Sequence, residues 1–169
     1  MRILGVDPGY ALLGYGIVDS IANKYTLVEC GVVATDKDMA MPDRLNLIFG
    51  KLTELIAEFR PEVAAVEELF WGTNQKTAIH VSEARGAAVV ACARAGLHVY
   101  EYTPLQIKQA LTGNGRAEKQ QMQEVVRNIL GLKEIIRPDD AADAAAAAIC
   151  HGNSAAYIDR VGRAVARGR

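Results

Sequence analysis

A chain of 169 residues has the length of one domain with a sizeable core and is too short for two folded lobes. Half of its residues are hydrophobic and 23% are charged, which excludes a disordered polymer, and no apolar run approaches the eighteen or so residues of a membrane span. The net charge of −1 at pH 7 hides an uneven spread: residues 72–119 carry six basic and three acidic side chains inside an otherwise acidic chain, as suits either a local polyanion groove or a solvated face.

In chain order, Arg2 to Asp7 reads as an apolar strand turned by Pro8-Gly9. Gly14 to Asp19 and Tyr25 to Thr35 read as two more strands, joined around Ala22-Asn23-Lys24, so an antiparallel meander is expected. From Asp43 onward, Leu45, Ile48, Leu52, Leu55, Ile56 and Phe59 recur at helical spacing. Val63 to Glu67 is short, apolar and unalternating, the pattern of a strand buried on both faces. A helix from about Lys76 to Ala95, a strand from Leu97 to Tyr102, and helices near Pro104–Leu111 and Glu118–Leu130 follow. An alanine-rich core helix runs from Asp139 to about Cys150. The order β-β-β-α-β-α-β-α-α-α describes an α/β fold: a mixed five-stranded sheet, three antiparallel strands then parallel ones, with helices on both faces.

Cys30, Cys92 and Cys150 are odd in number and widely spaced among apolar neighbours, so they are expected as reduced thiols. Met1-Arg2 leads straight into the first strand with no apolar signal core, so a cytoplasmic location is expected.

Four carboxylates carry the chemistry. Taken alone, Asp7 reads as an Asx-turn residue capping Pro8-Gly9. Glu67 changes that reading, because it too ends a buried strand. If the first and fourth strands are parallel neighbours, both acids sit at the carboxyl edge of the sheet, where open α/β sheets bind ligands. Glu68 alternates to the other side and reads as a solvated loop acid. In Arg137-Pro138-Asp139-Asp140-Ala141-Ala142-Asp143, Asp140 and Asp143 are three apart and share a helix face, while Asp139 is explained as the N-cap. Asp143 stands inside an alanine helix with no basic residue within a turn of it on that helix, so it needs a partner from elsewhere.

Should these acids converge within about 4 Å, each like-charged pair costs on the order of 4 kcal/mol at an effective dielectric near 20. Either some take up protons or divalent cations bridge them. All-oxygen ligands without His or Cys select Mg²⁺ or Mn²⁺ over zinc. Two such ions about 4 Å apart activate a water and stabilise the leaving oxygen in phosphodiester cleavage, which makes a metal-dependent nuclease the expected activity.

Gly5-Val6-Asp7-Pro8-Gly9 through Gly14-Tyr15-Gly16, Val66-Glu67-Glu68-Leu69-Phe70, Arg85-Gly86, Gln106-Ile107-Lys108, Ala117-Glu118-Lys119 and Asp140-Ala141-Ala142-Asp143-Ala144 together resemble, in order and spacing, the motifs of the RuvC family. These are bacterial Holliday-junction resolvases of the RNase H-like superfamily, and the resemblance covers nearly the whole chain. It implies an RNase H-like nuclease domain over residues 1–153 and a basic tail over 154–169 that matches no family motif. It implies that Asp7, Glu67, Asp140 and Asp143 hold two Mg²⁺ ions per active site, with Mn²⁺ able to substitute. Some members carry His at the third of these positions; Asp140 keeps this set all-carboxylate.

The resemblance further implies a catalytic and DNA-contacting Lys119, a DNA-contacting Lys108, and Phe70 as an aromatic that stacks on or wedges between bases at an opened junction. Phe70 and Trp71 equally suit a loop-anchoring core role. Arg116, near the start of the same helix as Lys119, joins it as an expected phosphate contact, and Lys76 and Arg85 as further backbone contacts, each against the alternative of a solvated face. A junction with two-fold symmetry implies a homodimer, and the resemblance implies work alongside the RuvA and RuvB branch-migration machinery. Other readings are a YqgF-type nuclease acting on ribosomal RNA precursors, a nucleotide binder of the actin-like kind suggested by Asp7-x-Gly9, and an inert junction-binding protein. His80 and His98 read as structural, and His151 has no spacing that ties it to the acids.

Overall fold

The computed structural model describes residues 1–22, 24–68 and 75–167, and their side chains except those of 75–77 and 156–167. Phe70, Trp71 and the side chain of Lys76 therefore lie outside the described residues.

The predicted element order is the observed one. Strands β1 (Arg2–Asp7), β2 (Leu12–Ile21) and β3 (Lys24–Ala34) form the meander; helix α1 (Met41–Phe59) crosses to β4 (Val63–Glu67), and α2 (Gln75–Arg94) crosses to β5 (His98–Tyr102). Helices α3 (Pro104–Thr112), α4 (Lys119–Ile129) and α5 (Asp139–Arg167) complete the chain. The sheet order is β3-β2-β1-β4-β5, with β1 parallel to β4 and β4 parallel to β5. Two capping devices match their local sequence. Arg60 ends α1 in the left-handed conformation, and Thr103 and Gln106 form a reciprocal capping box at the start of α3.

Strand alternation divides the core in two. Leu4, Val6, Ala64 and Val66 face α1 and α2, where Ile48, Leu52, Ala84 and Ala88 cover them. Ile3 and Ala65 face the opposite way, against Ala141, Ala145, Ala148 and Ile149 of α5, with Ile107, Met122 and Val126 of α3 and α4 in the same cluster. Odd-numbered positions of β1 and β4 thus point at α5, and Asp7 and Glu67 are odd-numbered.

Helix α5 extends further than the sequence suggested, running to Arg167 instead of ending near Cys150. Gly152 lies inside the helix, where its missing side chain serves a contact: a Cβ there would lie 2.4 Å from the Tyr25 ring, whose hydroxyl donates to Asn153 at 2.6 Å. A lone glycine inside a helix costs only about 1 kcal/mol, which the alanine-rich flanks absorb. All three cysteines are free, Cys92 and Cys150 buried and Cys30 half-buried. Among the described residues, no helix is long and apolar enough to cross a membrane.

Candidate active site

The β1–β4 register runs Ile3–Val63 to Val6–Val66, so the next residues, Asp7 and Glu67, stand side by side as the strands end. Parallel neighbours lie about 4.8 Å apart, and residues in register point to one face, here the α5 face. Asp7 also pairs across β2 with Gly14. A Cβ on Gly14 would come within 2.0 Å of the Asp140 carbonyl oxygen, and one on Gly5 within 1.9 Å of the Ala144 carbonyl oxygen. A Cβ on Gly16 would lie 2.9 Å from the Ala145 backbone. Three glycines on β1 and β2 thus form a track on which the first turns of α5 lie against the sheet. The N-terminus of that helix, with Asp140 and Asp143, is brought over the Asp7 end, and its dipole favours acids there.

Convergence shows in the protonation of the group. Burial, followed by the charges of Asp143 and Asp140, pushes Asp7 up to about 7 against the opposing pull of Lys119. Burial, then Asp7 and Asp143, pushes Glu67 up to about 8, opposed by Lys108 and Lys119. Asp143 is also raised by burial, against the ammonium of Lys119. That ammonium lies 2.6 Å from Oδ2 of Asp139 and 3.5 Å from Oδ2 of Asp143, so the partner that Asp143 lacks on its own helix comes from α4.

Beside the acids opens a cavity of about 250 Å³ lined by Glu67, Pro104, Ile107, Lys108, Lys119, Met122, Asp143 and Ala146. Its lining combines the apolar Pro104, Ile107, Met122 and Ala146 with two lysines and two carboxylates. Among the described residues, no three metal-ligating side chains stand together as a ready shell around one ion. Magnesium does not require one, since it keeps several waters and usually takes only one or two carboxylates plus substrate phosphate. The donor chemistry fits such an ion: oxygen only, crowded and mutually repelling.

Other expected contact residues fall in different settings. Arg85, on α2, is engaged by Glu101 of β5, and its Nε is buried with no hydrogen-bond partner among the described residues. Arg116 is exposed in the turn before α4, where its backbone N–H is held by the Asn114 side chain at 3.0 Å. His151 is buried away from the acids. Its Nδ1 is 2.7 Å from the Tyr102 hydroxyl, its ring packs on Tyr100, and burial pushes it down to about 4. His80 stacks on Tyr10.

Sequence reasoning missed three things: the glycine track, the Lys119–Asp139 contact and Arg44. The first had a signal, since glycine inside a strand marks close backbone approach. Arg44 had none. It is 7% exposed, lies 3.6 Å from the Tyr10 ring centroid, and donates to the Thr35 hydroxyl at 2.8 Å and the Tyr10 carbonyl at 3.1 Å, bracing the turn after Asp7.

The chain matches the sequence model of the family described as "Crossover junction endodeoxyribonuclease RuvC" over residues 3–151. It is 50% identical to the protein of that name from Finegoldia magna over 163 residues, 95% of this chain and 99% of the relative. It is 53% identical to the one from Rubrobacter xylanophilus over 152 residues, 90% and 85% of the two chains. Among solved structures, Thermus thermophilus RuvC superposes with a TM-score of 0.87 at 41% identity, covering 93% of this chain and 96% of that one. The same protein in complex with Holliday junction substrate gives 0.86 at 39%, with the same coverage. The yeast mitochondrial Holliday junction resolvase Ydc2, 14% identical with a TM-score of 0.67 over 94% of this chain and 82% of that one, shares the fold. Matched from the first strand into the helix of the acid pair, and half identical to relatives along almost their entire length, this chain belongs to the RuvC family of crossover junction endodeoxyribonucleases.

Proposed function

We propose that the protein is a Mg²⁺-dependent endonuclease that binds a four-way DNA junction and hydrolyses one phosphodiester in each of two opposed strands, leaving 5′-phosphate and 3′-hydroxyl ends. The observation that supports this, in a chain of this family, is that Glu67 and Asp143 line one cavity while Asp7 stands next to Glu67 in strand register and Asp140 begins the helix laid over Gly14, the strand partner of Asp7. Asp7, central to the group, would contribute to both metal positions, with Glu67 on the β4 side and Asp140 and Asp143 on the α5 side. Magnesium, or manganese in its place, supplies an activated water and charge neutralisation at the leaving oxygen.

The chain's own residues do the rest. The carboxylates fix the cations relative to the sheet edge, while Lys108 and Lys119 at the cavity edge bind phosphate oxygens and keep the cleaved linkage against the acids. Arg116, Lys76 and Arg85 are further backbone contacts. Phe70 acts on bases at the opened junction.

Cutting two symmetric strands needs two copies of the site, so the working form is a two-fold homodimer. Helix α2 supports this: Ile79 and Val90, eleven residues apart on one face, are 57% and 51% exposed. Junctions arise during DNA recombination and repair, and the proposed setting is the cytoplasm, with RuvA and RuvB delivering the junction. Residues 1–153 carry the nuclease, and the basic segment 154–169 is an extension to it.

The test is incubation with a labelled mobile four-way junction, linear duplex and precursor RNA, with and without Mg²⁺. Symmetric nicking of the junction alone, only with metal, is expected; cutting confined to RNA, or ATP turnover, overturns the proposal. Asp7→Asn is expected to bind the junction in a gel-shift assay and leave it uncut, whereas lost binding would make Asp7 a folding residue.

A further inference from the structure

Helices α4 and α5 begin side by side, and the contact that joins their first residues is an ion pair that the proposed reaction does not itself require. Lys119 is the first residue of α4, where a cation opposes the helix dipole, so its ammonium is drawn toward neighbouring acids. Two acids accept it unequally: Asp139 Oδ2 at 2.6 Å and Asp143 Oδ2 at 3.5 Å. Asp139 and Asp143 are four apart and lie on one face of α5, so the same lysine reaches both. Only Asp143 borders the cavity with Glu67. Without Asp139, the acid left within 4 Å of the Lys119 ammonium among the described residues is Asp143, a carboxylate that the proposed function needs for metal.

We infer that Asp139 is a positioning residue: by taking the shorter contact with Lys119 it holds the ammonium at 3.5 Å from Asp143 and keeps it from closing further, so that Asp143 is left to a divalent cation and Lys119 stays beside the cavity for phosphate. This rests on the proposed metal site. The tether works through placement and not through stability, since Lys119 and Asp139 are 58% and 41% exposed and such pairs hold little folding energy.

The experiment titrates Mn²⁺ into the full-length protein without DNA, reading free ion by electron paramagnetic resonance. It uses wild type, Asp139→Asn, Asp139→Glu, Lys119→Met and the Asp139→Asn/Lys119→Met double variant. Asp139→Asn is expected to weaken ion binding about two- to fivefold, the span of one exposed ion pair. Asp139→Glu is expected to restore it. In the Lys119→Met background, Asp139→Asn is expected to have no further effect, because there is no ammonium left to misplace. In junction cleavage, Asp139→Asn should raise the half-saturating metal concentration and lower kcat while leaving KM for the junction unchanged. Equal weakening in both backgrounds would reduce Asp139 to one more negative charge and overturn the inference, as would unchanged binding in Asp139→Asn. Absence of ion binding by wild type would remove the metal site itself and the inference with it, whereas either of the other two failures leaves the metal site standing.

Discussion

Asp7 and Glu67 each sit under a conflict between burial and ionisation, and that conflict has a pH signature. Their folded values, about 7 and about 8, lie above those of an unfolded chain, so between pH 4 and 8 the folded state binds more protons than the unfolded one. The stability they contribute is present at low pH and is lost as pH rises through 7 to 8. In the absence of metal, thermal unfolding is therefore expected to show a falling Tm from pH 5.5 to 8.5 through this pair. Asp7→Asn should flatten that slope. It should also raise Tm at pH 8, by roughly 2–4 °C for each 1 kcal/mol of repulsion relieved. Added Mg²⁺ should raise Tm at pH 8 in wild type and far less in Asp7→Asn, because an ion that binds only the folded state stabilises it by mass action. An Asp7→Asn protein with unchanged slope would show that Asp7 is not held protonated by its burial and its acidic neighbours. At this scale much was legible: acids ending two apolar strands and an acid inside an alanine helix stand out in any sequence. Lys119 as the partner of Asp139 was not, since twenty residues and a turn of unknown path separate them.

Among the elements, the close seat of α5 on β1 and β2 decides whether the acids meet. Gly14→Ala would place a methyl 2.0 Å from the Asp140 carbonyl oxygen and 3.2 Å from its Cβ, so the helix must move outward. A cost of about 1–3 kcal/mol is expected, read as a lower denaturation midpoint at unchanged m, together with loss of junction cutting as Asp140 moves from Asp7. The same substitution at Gly50, in the middle of α1, where an added methyl would meet nothing within 4 Å, should stabilise by about 0.5–1 kcal/mol and leave cutting intact. Equal effects at the two sites would mean that the track is not a packing surface. The helices and strands themselves followed from periodicity, because each pattern is local. The length of α5 did not, because whether Gly152 breaks a helix or lets Tyr25 approach depends on what lies across from it.

For the whole molecule, one acid group per chain and a substrate with two cut sites require a second copy. Sedimentation equilibrium should show a dimer, and Ile79→Glu/Val90→Glu should shift it to monomer, with paired cuts replaced by single nicks. Retention of the dimer in that variant would place the interface on another face. The same scale explains the two-layered core: α1 and α2 take one face of the sheet and α5 the other, so the acids open toward the α5 side, where α3 and α4 bring their lysines.

What the residues determine alone is whatever depends on short-range pattern: five strands and five helices in order, a strand pair able to run parallel, carboxylates at the ends of two strands and the start of one helix, and a set of short motifs shared with a family of nucleases. Only the folded chain decides which groups touch. The β1–β4 register puts Asp7 beside Glu67, the glycine track seats the start of α5 against the strands that carry Asp7, and α4 brings Lys119 across to Asp139. The physical reason is that register, close packing and ion pairing between distant segments depend on separations in space, which spacing along the chain does not encode.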